Sequence, residues 1–254
     1  MSGLLLAARH GAVLVLTLNQ PAKRNALSLA LRQDLLAAVT DAASDPAVRA
    51  IVLQGAGGHF CSGGDLSEMN VGGLAEGRAR MSATHQLVRA LAAGPKPVVA
   101  AVEGWAAGAG LSLALCADIV VAGQEARFAA SFGNVGLIGD LGLLHTLPRR
   151  VGQAQARRML LLGEPVDAAT ALQIGLADQV CEPGGAWDAA MLWADKLASR
   201  APLPVAVTRA LLSEGLESLL AQERDHQAAL FLTEDHAEGK AAFKARRAPV
   251  FHGR

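Results

Sequence analysis

One recurring pattern sets the fold class of this chain of 254 residues: a short unbroken apolar run, a turn rich in Gly, Asn or Pro, then a segment with helical spacing. Ala12 to Leu18 is such a run and ends at the turn Asn19-Gln20-Pro21. Ser28 can then cap a helix to about Ser44, with Leu31, Leu35, Leu36 and Val39 on one face. The pattern continues with a strand at Ala50 to Leu53, a helix over about Glu76 to Ala92 and a buried strand at Val98 to Val102. An apolar helix at Ala109 to Ala117 and a strand at Ile119 to Ala122 follow, so the expected class is α/β. Beyond Leu141 helical spacing dominates, at Gln153 to Leu162, Asp167 to Ile174, Trp187 to Ser199, Pro204 to Leu212 and Leu216 to Leu232. A single strand, Leu176 to Val180, interrupts it.

Composition removes whole classes of function. The 23 Lys+Arg residues balance 23 Asp+Glu, and a neutral chain lacks the basic excess that nucleic-acid binding needs. There is no tyrosine, so the Tyr-x-x-x-Lys chemistry of short-chain dehydrogenases cannot operate in this Gly-rich α/β chain. Cys61, Cys116 and Cys181 are odd in number and widely spaced, which suggests neither a disulfide framework nor a thiolate zinc site. The 7 histidines show no H-x-x-x-H or H-E-x-x-H spacing, so no bound metal is expected. The first ten residues lack a secretory n-region and cleavage site, and the longest charge-free apolar stretch, Gly104 to Ala117, is too short to span a bilayer. A reduced, cytoplasmic location off the membrane is the expectation.

Two loops carry the chemical information. Cys61-Ser62-Gly63-Gly64-Asp65-Leu66 follows a strand, and Gly104-Trp105-Ala106-Ala107-Gly108-Ala109-Gly110 joins a strand to a buried helix. Small residues let a ligand approach the main chain, and two backbone N–H groups aimed at one point would form an oxyanion hole. Tight strand–helix packing explains the glycines equally well when each loop is taken singly. Neither loop carries G-K-[ST] or G-x-G-x-x-G, so neither is a phosphate cradle.

Taken in order, Leu18 to Ser28, Phe60 to Leu66 and Pro97 to Asp118 resemble the crotonase (enoyl-CoA hydratase/isomerase) superfamily. So do Val166-Asp167-Ala168-Ala169 with Ala171, Gly175-Leu176-Ala177 and Val180, and the tail Glu234 to Gly239 with Phe243, Arg246 and Arg247. The resemblance covers essentially the whole chain. It implies a crotonase-like spiral of ββα units with a C-terminal helical trimerisation region, divided here at 1–195 and 196–254. It also implies a homotrimer or dimer of trimers, acyl-CoA as substrate, and no cofactor beyond the CoA that the substrate carries. By position, the N–H groups of Gly64 and Ala109 would hold the thioester oxygen. Lys23 and Arg24 would meet the CoA phosphates and nucleotide, and Phe243 and Arg246 would reach the adenine and phosphates, often from a neighbouring subunit. Ser62, Asp65, Leu66, Ser112 and Phe132 complete the expected substrate-binding set, although Asp65 could equally serve only to anchor its own loop.

The family's hydratases work with two glutamates, and their positions hold Ser112 and Phe132 here. Neither side chain can activate water or protonate carbon, which disfavours simple hydration. One carboxylate remains, Asp140 in Gly136-Leu137-Ile138-Gly139-Asp140-Leu141-Gly142, where several isomerases of the superfamily have an aspartate. The leading expectation is therefore a double-bond shift with Asp140 as proton shuttle, its pKa raised by apolar neighbours. The same carboxylate could instead cap the helix after it. It could also be a nucleophile, as in 4-chlorobenzoyl-CoA dehalogenase, where a histidine lies 55 positions upstream as His85 does here. A non-catalytic acyl-CoA-binding relative and a hydratase with atypical acid/base groups are the remaining alternatives. His85 on the stripe Met81–His85–Val88–Leu91 reads as a core residue, His145 as part of a surface helix, Glu103 as a turn residue, and Cys61 as lacking a base. The acyl pocket is expected along 66–85, including Met69, Val71, Leu74 and Met81.

Overall fold

The computed structural model describes residues 3–254. Its strands are β1 (Leu5–His10), β2 (Val13–Leu18), β3 (Ala50–Gly55), β4 (Val98–Val102), β5 (Trp105–Ala107), β6 (Ile119–Gly123), β7 (Arg127–Ala129), β8 (Val166–Asp167) and β9 (Gln179–Cys181). Its helices are α1 (Leu29–Ser44), α2 (Leu74–Val88), α3 (Ala109–Leu115), α4 (Leu143–Leu162), α5 (Ala168–Gln173), α6 (Ala186–Ala198), α7 (Pro202–Leu212), α8 (Leu216–Leu230) and α9 (Glu234–Ala245). A six-stranded sheet runs in the order β1-β2-β3-β4-β6-β9, and a three-stranded sheet in the order β5-β7-β8. β1 is antiparallel to β2, while β2, β3, β4, β6 and β9 are mutually parallel.

The apolar runs occupy the centre of the larger sheet because they are buried on both faces. One face presents Leu16, Leu18, Ile51, Leu53, Ala100, Val102 and Val120 to the main core, and the other presents Val13, Val15, Val52, Val99 and Val121 to α6. α6 meets that second face with Ala186, Ala190 and Ala194, one turn apart and fully buried. Three methyl groups remove little surface from water, so the energy here comes from the valines, about 1.5–3 kcal/mol for each one fully buried. The alanines set the distance at which the helix can cover them.

Differences from the sequence expectation have local causes. β1 escapes apolar-run detection because only Leu5 of its residues is buried, as befits an edge strand. Ser28 caps α1 as expected, its Oγ accepting from the Leu31 N–H at 3.2 Å. α2 starts at Leu74 and passes into a π-helical turn at Arg89–Ala93. α4 begins at Leu143, ten residues before the expected start, and is broken at Gly152 (φ 74°, ψ 164°), so Gln153 to Leu162 is its second half. The strand expected at Leu176 to Val180 forms at Gln179–Cys181, because the Leu176 and Ala177 N–H groups both bond Ala171 O at the end of α5. α9 falls within the helical C-terminal region that the resemblance implies but outside the segments that helical spacing marks, and Thr233 caps it through the His236 N–H at 3.1 Å. Among the described residues no helix is long and apolar enough to cross a membrane.

The last helices fold back on the core rather than trailing from it. α8 lies along α2, where a Cβ at Gly77 would sit 3.0 Å from Ala228 Cα. α9 lies on the 3-10 turn Ser131–Val135, and a Cβ at Gly239 would come within 2.6 Å of Val135 Cα. Gly239→Ala must push α9 off that turn, and thermal denaturation should show a loss of about 1–3 kcal/mol. Gly133→Ala, where a Cβ meets nothing within 4 Å, is the matched control and should leave the melting temperature essentially unchanged.

Candidate active site

The two glycine loops are joined by backbone. The Cys61 N–H bonds Trp105 O at 2.9 Å and the Ala107 N–H bonds Cys61 O at 3.0 Å, a parallel bridge between residues 61 and 106. On the other side of the first loop, the Leu27 N–H bonds Gly63 O at 2.8 Å and the Ser62 N–H bonds Arg24 O at 2.9 Å. Glycine is required where the loops touch. A Cβ at Gly110 would lie 2.2 Å from Cys61 O, and one at Gly63 (φ 116°) would lie 3.1 Å from Ala107 O. The junction leaves the N–H groups of Gly64 and Ala109 without an acceptor among the described residues.

Asp140 is buried at 4 % exposure, and its Oδ1 has no hydrogen-bond partner. Its Oδ2 accepts a long bond of 3.4 Å from Gln227 Nε2. Burial, reinforced by the Glu223 carboxylate, pushes its pKa up to about 7, against the opposing pull of Arg32, the Gln227 bond and His85. Its carboxylate does not cap α4: the helix starts from Gly142, and Asp140 contributes only its backbone carbonyl, to the Leu143 N–H. The neighbouring positions carry no second acid. Ser112 is fully buried on α3 with its hydroxyl on Gly108 O at 3.4 Å, and Phe132 is buried in the turn before Asp140.

α8 grips the Asp140 loop with two side chains one turn apart. Gln227 accepts from the Ile138 N–H at 3.2 Å and donates to Ile138 O at 3.3 Å. Glu223 accepts from the Gly142 N–H at 2.9 Å through one oxygen and pairs with His85 Nε2 at 2.8 Å through the other. Between these anchors Leu141 and Gly142 both adopt left-handed backbone (φ 51° and 74°), which costs a leucine about 1–2 kcal/mol and so needs holding. His85 is therefore a buried, hydrogen-bonded core residue whose hydrogen bond goes to Glu223 and not to Asp140. His145, expected on a surface helix, is instead buried at 5 % exposure, and burial lowers its pKa. Cys61 is sealed in the loop junction and burial raises its thiol to about 12, so it is no nucleophile. Glu103 accepts from the Ala186 N–H at 3.1 Å and so anchors the start of α6.

The expected phosphate-contacting residues form an exposed rim. Asn25, fully buried in left-handed backbone (φ 57°), donates to Ala56 O and His59 O and accepts from the Gln20 N–H, which fixes the turn that carries Lys23 and Arg24. Lys23 pairs with Asp65 at 2.8 Å, and Ser62 Oγ donates to Lys23 O at 3.1 Å. Asp65 also accepts from Ser67 N and Oγ, so it does anchor its loop and open the 3-10 turn that begins at Leu66. Phe243 and Arg246 lie at the exposed end of α9, away from Asp140. That helix is stitched to the 66–70 turn by Lys240 Nζ on Met69 O and Asn70 Oδ1. Met69 and Met81 of the expected acyl pocket are buried, Leu74 is exposed.

Sequence reasoning missed Arg32, Glu223 and Gln227. Each stands on an otherwise apolar buried helix face, Arg32 beside Leu31 and Leu35, Glu223 and Gln227 below Leu216 and Leu220. A polar residue interrupting such a stripe was the available signal. Among the described residues no cluster of three or more His, Cys, Asp or Glu side chains is arranged to hold a metal ion.

The profile of the enoyl-CoA hydratase/isomerase family matches residues 8–254. The chain is 39% identical over 255 residues to the 2,3-dehydroadipyl-CoA hydratase of Escherichia coli, covering 98% of this chain and 99% of the relative. It is 36% identical over 250 residues to the 1,2-epoxyphenylacetyl-CoA isomerase of the same organism, with 95% of each covered. Among solved structures, an enoyl-CoA hydratase from Mycobacterium avium subsp. paratuberculosis superposes with a TM-score of 0.88 at 33% identity, over 98% of both chains. The expected crotonase-like α/β fold with a helical C-terminal region is the fold of this chain.

The raised pKa of Asp140 has a consequence for stability. Between the ordinary value of 3.8 and about 7 the folded protein keeps a proton that the unfolded chain has released, so stability falls as pH rises through this window. Asp140→Asn has no such proton to lose. Its melting temperature should overtake that of the parent as pH rises from 4 to 8, the gain reaching about 4 kcal/mol at about 1.4 kcal/mol per pKa unit. A constant difference across that range would mean the carboxylate is not perturbed.

Proposed function

This chain belongs to the enoyl-CoA hydratase/isomerase family, and within it we propose an enoyl-CoA isomerase in which Asp140 carries the proton from one carbon to another. One observation carries the reading: Asp140 is a buried carboxylate with a bare oxygen and a pKa near neutrality, while Ser112 and Phe132 bring no further acid. A group that titrates near 7 is populated in both its base and acid forms at neutral pH, as a proton shuttle requires. The relatives carry hydratase and isomerase names alike; Ser112 and Phe132 bring no acid or base, and Glu223 is engaged by the Gly142 N–H and His85, which favours the double-bond shift.

The chemistry follows from these groups. Ionised Asp140 takes a proton from C2 of a 3-enoyl thioester, and the electron pair moves onto the thioester oxygen. The N–H groups of Gly64 and Ala109 hold that oxygen, each worth about 3–4 kcal/mol in the transition state. Protonated Asp140 then returns its proton at C4, the double bond settles between C2 and C3, and nothing is gained or lost overall. CoA enters as part of the substrate, its phosphates meeting Lys23 and Arg24 at the rim. A nucleophilic role for Asp140 lacks its helper, since His85 is engaged by Glu223 and Phe132 offers no N–H.

Assembly completes the reading. Leu203, Val207 and Leu211 form a stripe on α7 at one-turn spacing, 77 %, 58 % and 71 % exposed, as a subunit interface would leave them in a single chain. In a homotrimer or dimer of trimers, Phe243 and Arg246 serve the nucleotide of a neighbouring subunit. Three free cysteines fit a reducing cytoplasm.

Incubation with a 3-enoyl-CoA in deuterated water tests the mechanism. The protein should yield the 2-enoyl product with deuterium exchange at C2 and C4, the rate rising with ionisation of a group near pH 7. Asp140→Asn should lose at least about 100-fold in rate, the typical worth of a positioned acid/base group. Equal rates in the two proteins would overturn the assignment.

A further inference from the structure

A buried guanidinium stands beside the oxyanion loop. Arg32, on the first turn of α1, is 6 % exposed, and its Nη2 lies 3.3 Å from the point where a side chain at Gly64 would begin. Arginine offers five N–H donors in a fixed fork. Among the described residues the Arg32 fork makes one hydrogen bond, Nη1 to Thr84 Oγ1 at 3.0 Å, and its Nε has no partner. No carboxylate comes within ion-pair distance of it among the described residues. Only three buried side-chain polar atoms among the described residues lack a partner, and two of them are Arg32 Nε and Asp140 Oδ1. A charge taken out of water and left unpaired is costly, so a native structure that keeps one does so for a reason.

A second guanidinium lies within reach of its charge. Arg80, on α2 one turn before Thr84, is half-buried with Nη1 on Glu68 O at 2.9 Å. Arg32 and Arg80 feel each other's charge, and both feel Asp140 and Glu68. Met69, whose terminal methyl lies over Gly64, supplies apolar surface beside it, and Met81 is buried on α2 next in sequence to Arg80. Gly64 is thus flanked by an apolar methyl on one side and a guanidinium on the other.

We propose that Arg32, assisted by Arg80, binds a carboxylate on the acyl group, so that the CoA thioester this protein takes is that of a dicarboxylic acid. The proposal rests on the acyl-CoA reading above and names the substrate class within it. The thioester oxygen sits on the Gly64 and Ala109 N–H groups, the carbon skeleton runs along Met69 and Met81, and the free carboxylate meets the guanidinium fork in a charge-assisted, two-pronged contact.

Binding of saturated acyl-CoA esters, which cannot react, tests this without depending on isomerisation. Titration calorimetry on the full chain would compare esters of four to eight carbons ending in a methyl group or in a carboxylate. At one chain length the carboxylate ester should bind about tenfold or more tightly than its methyl partner. Arg32→Met should weaken that ester by roughly 10- to 100-fold and leave the methyl ester within about threefold, while Arg32→Lys keeps part of the preference. Arg80→Gln, at a half-buried position tolerant of change, should weaken the same ester by roughly three- to tenfold. A methyl preference at every length overturns the proposal and leaves the isomerase reading intact. So does an Arg32→Met variant that raises the apparent pKa of Asp140 without changing ligand preference, since Arg32 would then be only a counter-charge. Failure of both series to bind overturns the acyl-CoA reading itself.

Discussion

Two backbone hydrogen bonds, Cys61 N–H to Trp105 O and Ala107 N–H to Cys61 O, tie together the loops on which the rest of the site depends. Those loops leave neighbouring parallel strands, β3 and β4, and would otherwise be free to splay. The bonds form only because Gly110 has no Cβ to strike Cys61 O and because Gly63 can take a positive φ. Main-chain bonds are indifferent to side-chain identity, so this junction fixes the Gly64 and Ala109 N–H groups while leaving the surrounding side chains open to variation. The large parallel sheet supplies the rigid floor, and its buried valines and leucines provide the energy that holds the loops in register.

The acidic group is held by a different means. Asp140 lies on a turn with two consecutive left-handed residues, and its stability comes from α8 rather than from its own sequence. Glu223 performs two tasks there: it fastens the Gly142 N–H, and its charge helps to raise the pKa of Asp140. The Glu223 contact with His85 runs on to α2, which also carries Thr84 and Arg80. Asp140, Arg32 and the two glycine loops are thus linked through α1, α2 and α8 by hydrogen bonds and through-space charge.

Much of this was legible in the sequence, for physical reasons. Doubly buried strands announce themselves as unbroken apolar runs, and the centre of the larger sheet was found that way. Gly63, Gly64 and Gly110 were legible because close backbone approach admits little else. Asp140 stood out as a carboxylate among apolar neighbours, although its burial is completed by α8, more than 80 residues away, rather than by Phe132 to Ile138 alone. What stayed hidden falls into two kinds. β1, β5, β7 and β8 are too short or too exposed to carry a period, and the broken helix α4 obscures its own beginning at Gly152. Arg32, Glu223 and Gln227 acquire meaning only across space, since a polar residue on an apolar stripe shows that something must meet it without showing what.

The reach of α8 into the Asp140 turn bears on when a newly made chain becomes competent. The glycine loops and sheet strands up to β6 are complete within the first half of the chain. The carboxylate turn, by contrast, has no anchors until Glu223 and Gln227 have left the ribosome. In a chain still emerging, the glycine-loop junction can therefore close while the Asp140 turn is unfastened, and that turn is pinned only when α8 arrives with Glu223 and Gln227.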